Sequence, residues 1–118
     1  MLEDESFKVR SSAADALAKI GDVQAGPKLL QRMELEPNIG VRRMLLAALG
    51  AVKYQKSIPL LIQYLQNPDP SQRGSSAWSL GNMHATEALS AIEHALRQEH
   101  SRYPRASMIA AIKKIRER

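Results

Sequence analysis

Apolar and small residues recur along this chain with a helical beat, and the whole pattern then repeats. Val9-Arg10, Val41-Arg42, Gln72-Arg73 and Pro104-Arg105 each open a segment of small, apolar and polar residues that continues for several turns. The four arginines stand 32, 31 and 32 residues apart. Aligned on them, Leu17, Leu49, Leu80 and Ile112 share one column, and Ile20, Val52, Met83 and Ile115 share the column three residues on. Ala14, Leu46, Ala77 and Ile109 fall three residues before the first of these columns. Steps of three hold a stripe on one face of an α-helix, so each segment reads as a helix with these columns turned inward. Ala13, Ala16, Ala47, Ala48, Ala77, Ala111, Gly50 and Gly81 keep that helix thin enough for neighbours to approach closely.

A second helix follows each of the first three segments. Its starts read Ala25-Gly26-Pro27-Lys28-Leu29-Leu30, Ser57-Ile58-Pro59-Leu60-Leu61-Ile62 and Ala88-Leu89-Ser90-Ala91-Ile92-Glu93. Leu29, Leu61 and Ile92 align, as do Met33, Leu65 and Leu96 four residues later. Pro27 and Pro59 fall in a first helical turn, where a missing N–H costs little. Asp22 and Thr86 are candidate N-caps, and Asp69 followed by Pro70 is a cap and first helical residue for the third first-helix. A period of this length predicts a solenoid. The expected fold is all-α: a right-handed α-solenoid of seven helices, three and a half hairpins in one domain. Its units run over about residues 1–36, 37–67 and 68–99, with a closing helix over 100–118. Leu2 to Ser6 read as the tail of a preceding unit, as in a piece of a longer repeat protein.

Composition narrows the chemistry. Hydrophobic residues make up 44% and aromatic residues 4%, so Ala, Leu, Ile, Val and Met carry the core, which favours helix over sheet. There is no cysteine, which excludes disulfides, thiolate metal sites and a cysteine nucleophile. The acidic start lacks an apolar signal core, and no apolar run is long enough to span a bilayer, so a soluble, cytoplasmic, non-membrane protein is expected. The net charge is +5, and all of the excess lies beyond residue 96, in Arg97, Arg102, Arg105, Lys113, Lys114, Arg116 and Arg118 against Glu99 and Glu117. Positive charge at a helix C-terminus complements the helix dipole and keeps a stack end soluble.

The run Val9-Arg10-Ser11-Ser12-Ala13-Ala14-Asp15-Ala16-Leu17-Ala18-Lys19-Ile20-Gly21-Asp22 resembles the first helix of a HEAT repeat, of the short HEAT-like type described in phycobilin lyases. Ser57-Ile58-Pro59-Leu60-Leu61-Ile62 is similar to that family's second helix, and Ala77-Trp78-Ser79-Leu80-Gly81 to a variant of its first. The resemblance covers essentially the whole chain and implies fold more than function. It implies a protein-binding scaffold, with an accessory or subunit of a bilin lyase or phycobilisome-related protein as the alternative. No residue here marks a bilin site.

Candidate chemistry is sparse. Arg10, Arg42, Arg73 and Arg105 each follow an acceptor by six residues, namely Asp4, Glu36, Asn67 and Glu99, which predicts an internal ladder tying loops to helices. Trp78 stands where other units carry Asp15, Ala47 and Ala110, and is read as packing against the next unit, with a partner anchor as the other reading. Glu93-His94 and Glu99-His100 are acid–histidine pairs. The di-iron deoxyhypusine hydroxylase, which shares such repeats, uses histidine–glutamate pairs in the opposite order, so no metal site is expected. No catalytic triad, phosphate loop or paired catalytic carboxylates occur, so no enzyme activity and no cofactor are expected.

The exposed side of the second helices lines the concave surface in stacks of this kind. It projects Lys28, Gln31 and Arg32, then Leu60, Gln63 and Tyr64, then Ala91, His94 and Ala95. Leu60 and Tyr64 at the centre with polar groups around them follow the core-and-rim layout of a protein interface. Tyr64 reads equally well as a lid on its own hairpin. The expected function is a non-catalytic interaction or scaffold module holding a protein partner there, with end-to-end or larger-assembly contacts. Weak, salt-sensitive nucleic-acid binding through the basic C-terminal end is the remaining alternative.

Overall fold

The computed structural model describes residues 7–20 and 23–117. Asp4, Asp22, Leu2 to Ser6 and the side chains of Leu17 and Ile20 lie outside the described residues. Among those described are seven α-helices and no strand: α1 (Phe7–Ile20), α2 (Gly26–Leu35), α3 (Ile39–Ala51), α4 (Ile58–Tyr64), α5 (Pro70–Asn82), α6 (Leu89–Gln98) and α7 (Arg102–Arg116). A single 3₁₀ turn precedes each of α2, α4 and α6, at Val23–Ala25, Gln55–Ser57 and Thr86–Ala88.

Local chemistry sets the helix starts. Asn38 caps α3 by accepting the Val41 N–H at 3.1 Å, and Asp69 caps α5 by accepting the Gln72 N–H at 3.0 Å, with Pro70 next in the helix. Thr86 does not cap α6. It belongs to the 3₁₀ turn, and the capping position is Ala88, which offers no side-chain acceptor.

The ends of α3 and α5 are built alike. Lys53 and His84 adopt positive φ, 57° and 52°. The turn is closed by Lys53 N–H to Gly50 O and Tyr54 N–H to Leu49 O in one case, and by His84 N–H to Gly81 O and Ala85 N–H to Leu80 O in the other. This is the reverse turn that satisfies the last helical carbonyls, here bent through a residue with a Cβ.

The odd-numbered helices stack in one row, α1 on α3 on α5 on α7, while α2, α4 and α6 each pack against the first helix of the following unit. The row is held tightly. A Cβ built on Gly50 would lie 2.5 Å from Ser79 Cα, and one on Gly81 2.7 Å from Ala111 Cα, so both positions demand glycine at this spacing. Ser79 Oγ donates to Leu46 O at 2.6 Å and Asn82 Nδ2 to Gly50 O at 2.9 Å, stitching α5 to α3 through main-chain carbonyls. In α7 the column of Gly50 and Gly81 is occupied by Lys113.

The core lies between the two rows. Leu49 and Leu80, and Leu29, Leu61 and Ile92 from the second helices, are fully buried. Each such side chain contributes roughly 1.5–3 kcal/mol relative to exposure. Val52, Met83 and Ile115 are buried one turn further along the first helices. The third inward column holds for Ala14, Leu46 and Ala77 but not for Ile109, which is 50% exposed. Its counterparts are covered by the helix that follows in the row, and no described helix covers α7. The outcome is an α-solenoid of extents 44 × 28 × 18 Å rather than a closed bundle.

Candidate functional site

The repeated arginines bind main chain first. Arg42 Nε donates to Glu36 O, Arg73 Nη1 to Asn67 O at 2.8 Å and Pro68 O at 3.0 Å, and Arg105 Nη1 to Glu99 O at 3.3 Å. The acceptor six residues back is therefore a carbonyl. The carboxylate of the same residue reaches back to the arginine that opens its own hairpin instead, with Arg10 Nε on Glu36 Oε1 and Arg73 Nε on Glu99 Oε1, both at 2.7 Å. Arg73 completes a two-pronged pair through Nη2 to Glu99 Oε2 at 3.0 Å.

The second carboxylate oxygen of each glutamate accepts the main-chain N–H two residues on, from Asn38 and Ser101. In the middle unit Asn67 stands where the others have glutamate. Its Oδ1 is taken by the Asp69 N–H at 2.9 Å, and Arg42 has no carboxylate partner among the described residues.

Glu36 and Glu99 are buried, 4% and 6% exposed, so these pairs fasten second helices to first helices rather than meeting solvent. The hydrogen bond from Arg73 is the main cause holding the Glu99 carboxyl below the usual glutamate value, and Glu99 in turn raises Arg73. Asp69 is likewise lowered, chiefly by the Ser71 hydroxyl and also by the N–H groups it caps.

On the face of the second helices, Lys28, Gln31, Arg32, Gln63 and His94 are exposed, Leu60, Tyr64 and Ala91 are half-buried, and Ala95 is buried. A cleft of about 510 Å³ opens between α2 and α4, lined by Leu30, Glu34, Lys56, Pro59, Leu60 and Gln63. Of the residues projected from the sequence it contains Leu60 and Gln63. Leu30 and Glu34 lie one turn apart on the side of α2 that faces α4, whereas Lys28 and Arg32, two residues off this line, point to the opposite side of the helix. Tyr64 packs on the hydrophobic core.

The cleft exists because the second helices lean on the first row rather than on one another. Leu30, Pro59 and Leu60 give it an apolar floor. Glu34 and Lys56 line it with no ion pair to each other or to any described residue. Leu30, Glu34, Lys56 and Pro59 escape a reading of single helices, because which sides of two neighbours face each other is set by the stack.

Elsewhere, Glu93 accepts from Arg116, and Glu99 from Arg73, so both acid–histidine pairs have their carboxylates engaged. No group of three metal-ligating side chains occurs among the described residues, and no described helix is long and apolar enough to cross a membrane. At the basic end, Arg105 and Arg116 are drawn into intramolecular bonds while Arg102, Lys113 and Lys114 remain exposed. Trp78 is 42% exposed and Tyr103 50%, both on first helices.

Comparison with known families agrees with this architecture. A profile of HEAT repeats matches residues 26–113, and a profile of the PBS lyase HEAT-like repeat matches residues 9–34. No curated protein matches the chain in sequence. The first of these profiles runs from the start of α2 into the last turns of α7, well over half of the molecule, and the chain belongs to the HEAT-repeat family.

Proposed function

We propose that this chain is a non-catalytic interaction module that grips a segment of a partner protein in the cleft between α2 and α4. HEAT repeats generally mediate protein–protein interaction. The observation that carries the reading is the cleft itself: an apolar floor of Leu30, Pro59 and Leu60, flanked by Gln63 and by Glu34 and Lys56, which pair with no described residue. A partner side chain that fills the floor removes apolar area from water, worth roughly 25 cal/mol per Å². The two opposite charges at the sides fix its direction.

A photo-crosslinker placed at Gln63, which is exposed, is expected to trap the partner in source lysate, and one at Asn82 on the other row is not. Leu60→Asp is expected to weaken the captured complex at least ~10-fold, about 1.4 kcal/mol, with helicity unchanged by circular dichroism. Equal capture from both positions, or an unaltered affinity of Leu60→Asp, removes the cleft from consideration.

A further inference from the structure

Helix α7 keeps open the side on which α1, α3 and α5 each receive the next first helix. Ala106, Ile109 and Lys113 stand in the columns of Gly74, Ala77 and Gly81, which are buried on α5 where α7 packs against it. On α7 all three are exposed. Steps of four, three and four place Arg102, Ala106, Ile109 and Lys113 on one stripe, with Arg105 and Arg116 on its α6 flank. Arg97 joins them from α6, one turn after the Glu93 that Arg116 holds. The other acids of this end are Glu99, buried on Arg73, and Glu117 beyond the last turn. Arg97, Arg102 and Lys113 make no ion pair with any described residue.

We propose that this side of α7 seats an acidic amphipathic helix of a partner protein. Its apolar residues lie on Ala106 and Ile109, and its carboxylates reach Arg102 and Arg105 at one end of the stripe and Lys113 at the other.

Three observations select this occupant. The repeat columns select a helix, because inside the stack the same columns carry one. Charge selects an acidic helix, since a basic one is repelled by the five cations. Those cations are not explained by the fold alone. The helix dipole favours Lys113 and Arg116 in the last turn but opposes Arg102 and Arg105 at the start of α7, where the first turn holds no acid. Arg105 finds the Leu96 and Glu99 carbonyls at 3.4 and 3.3 Å, whereas Arg102 has no side-chain partner among the described residues. The apolar centre selects protein over a phosphate chain, which offers Ile109 nothing, while an amphipathic helix supplies apolar and acidic groups on adjoining sides. From Arg102 to Lys113 the stripe rises over 11 residues, roughly 17 Å, which matches about three turns of a bound helix.

The probe is a labelled peptide of about 16 residues, over four helical turns, with leucines along one stripe, glutamates on both flanks and alanine elsewhere. Its binding to the purified chain is followed by fluorescence anisotropy, and is expected to weaken as salt is added. Lys113→Glu and the neutral Ile109→Gln, both at exposed positions, are each expected to weaken it at least ~5-fold with helicity unchanged. Lys114→Glu alters net charge by the same amount but lies on the other flank of α7, and is expected to cost under ~2-fold. Leu60→Asp in the cleft is expected to leave peptide binding unmoved, which keeps this proposal separable from the function proposed above. Absence of binding overturns it. Equal losses from Lys113→Glu and Lys114→Glu also overturn it, since they show attraction by net charge alone. The same holds for equal binding by a peptide of identical composition with its leucines scattered. A DNA duplex of about 16 base pairs that binds more tightly than the peptide and ignores Ile109→Gln makes this a phosphate-binding surface instead.

Discussion

The two rows of helices are built to different tolerances. In the first row, glycine and serine let backbones meet, and side-chain donors on α5 reach carbonyls of α3. In the second row, each helix leans on the first row and leaves room beside its own neighbour. The middle member differs further. Helix α4 has 7 residues against 10 in α2 and α6, and its C-terminal loop carries Asn67 in place of the glutamate that fastens the other two. The rigid row sets the spacing, and the least fastened helix of the other row forms one wall of the cleft. The two rows thus differ in how closely they are packed and fastened, and the cleft lies on the side with fewer fasteners.

The largest disturbance of this contrast is expected from Gly50→Val. The new side chain meets the α5 backbone at Ser79, which cannot rotate away, so the row must part. A loss of about 3 kcal/mol or more in urea unfolding is expected. A loss below about 1 kcal/mol would show that the row has slack.

Next in size is Arg73→Ala, which strands the buried Glu99 carboxylate and is expected to cost about 2–3 kcal/mol. Arg42→Ala, where no carboxylate is left behind, is expected to cost about 1 kcal/mol. Acidity provides a second readout. The folded-state pKa of Glu99 lies below its ordinary value of 4.5, so its contribution is complete above that pH and is lost as pH falls through the lower folded value. The wild-type chain should therefore lose stability on acidification more steeply than Arg73→Ala. Parallel acid profiles would remove Glu99 from the account.

The smallest effect sharpens the contrast instead of breaking it. Asn67→Glu supplies the missing rung to Arg42 and is expected to raise stability by about 0.5–1 kcal/mol, with slower amide exchange in α4. Unchanged exchange in α4 would mean that its looseness has another origin.

Much of the frame is legible in the order of residues alone. The inward columns of Leu49 and Leu80, and of Leu29, Leu61 and Ile92, follow from helical spacing, because burial across a stack is periodic. Ile109 departs from its column because periodicity describes the interior of a row and α7 has no described helix beyond it. The arginine wiring is half legible. A six-residue offset shows that arginine and loop belong together. That the carboxylate turns back to an arginine 26 residues earlier depends on how the hairpin folds. The cleft is less legible still. Leu60 and Gln63 project outward on any helical wheel, but pairing them with Leu30 and Glu34 requires the lateral register of α2 and α4, which the columns these two helices share do not encode.

Lys113 carries a last implication. At its column the interior first helices admit only a hydrogen atom, because the adjoining backbone passes so near. Lys113 is exposed where Gly50 and Gly81 are buried, so any helix laid along α7 on that side meets a long cationic stem instead of bare backbone and would sit farther off than α5 sits from α3.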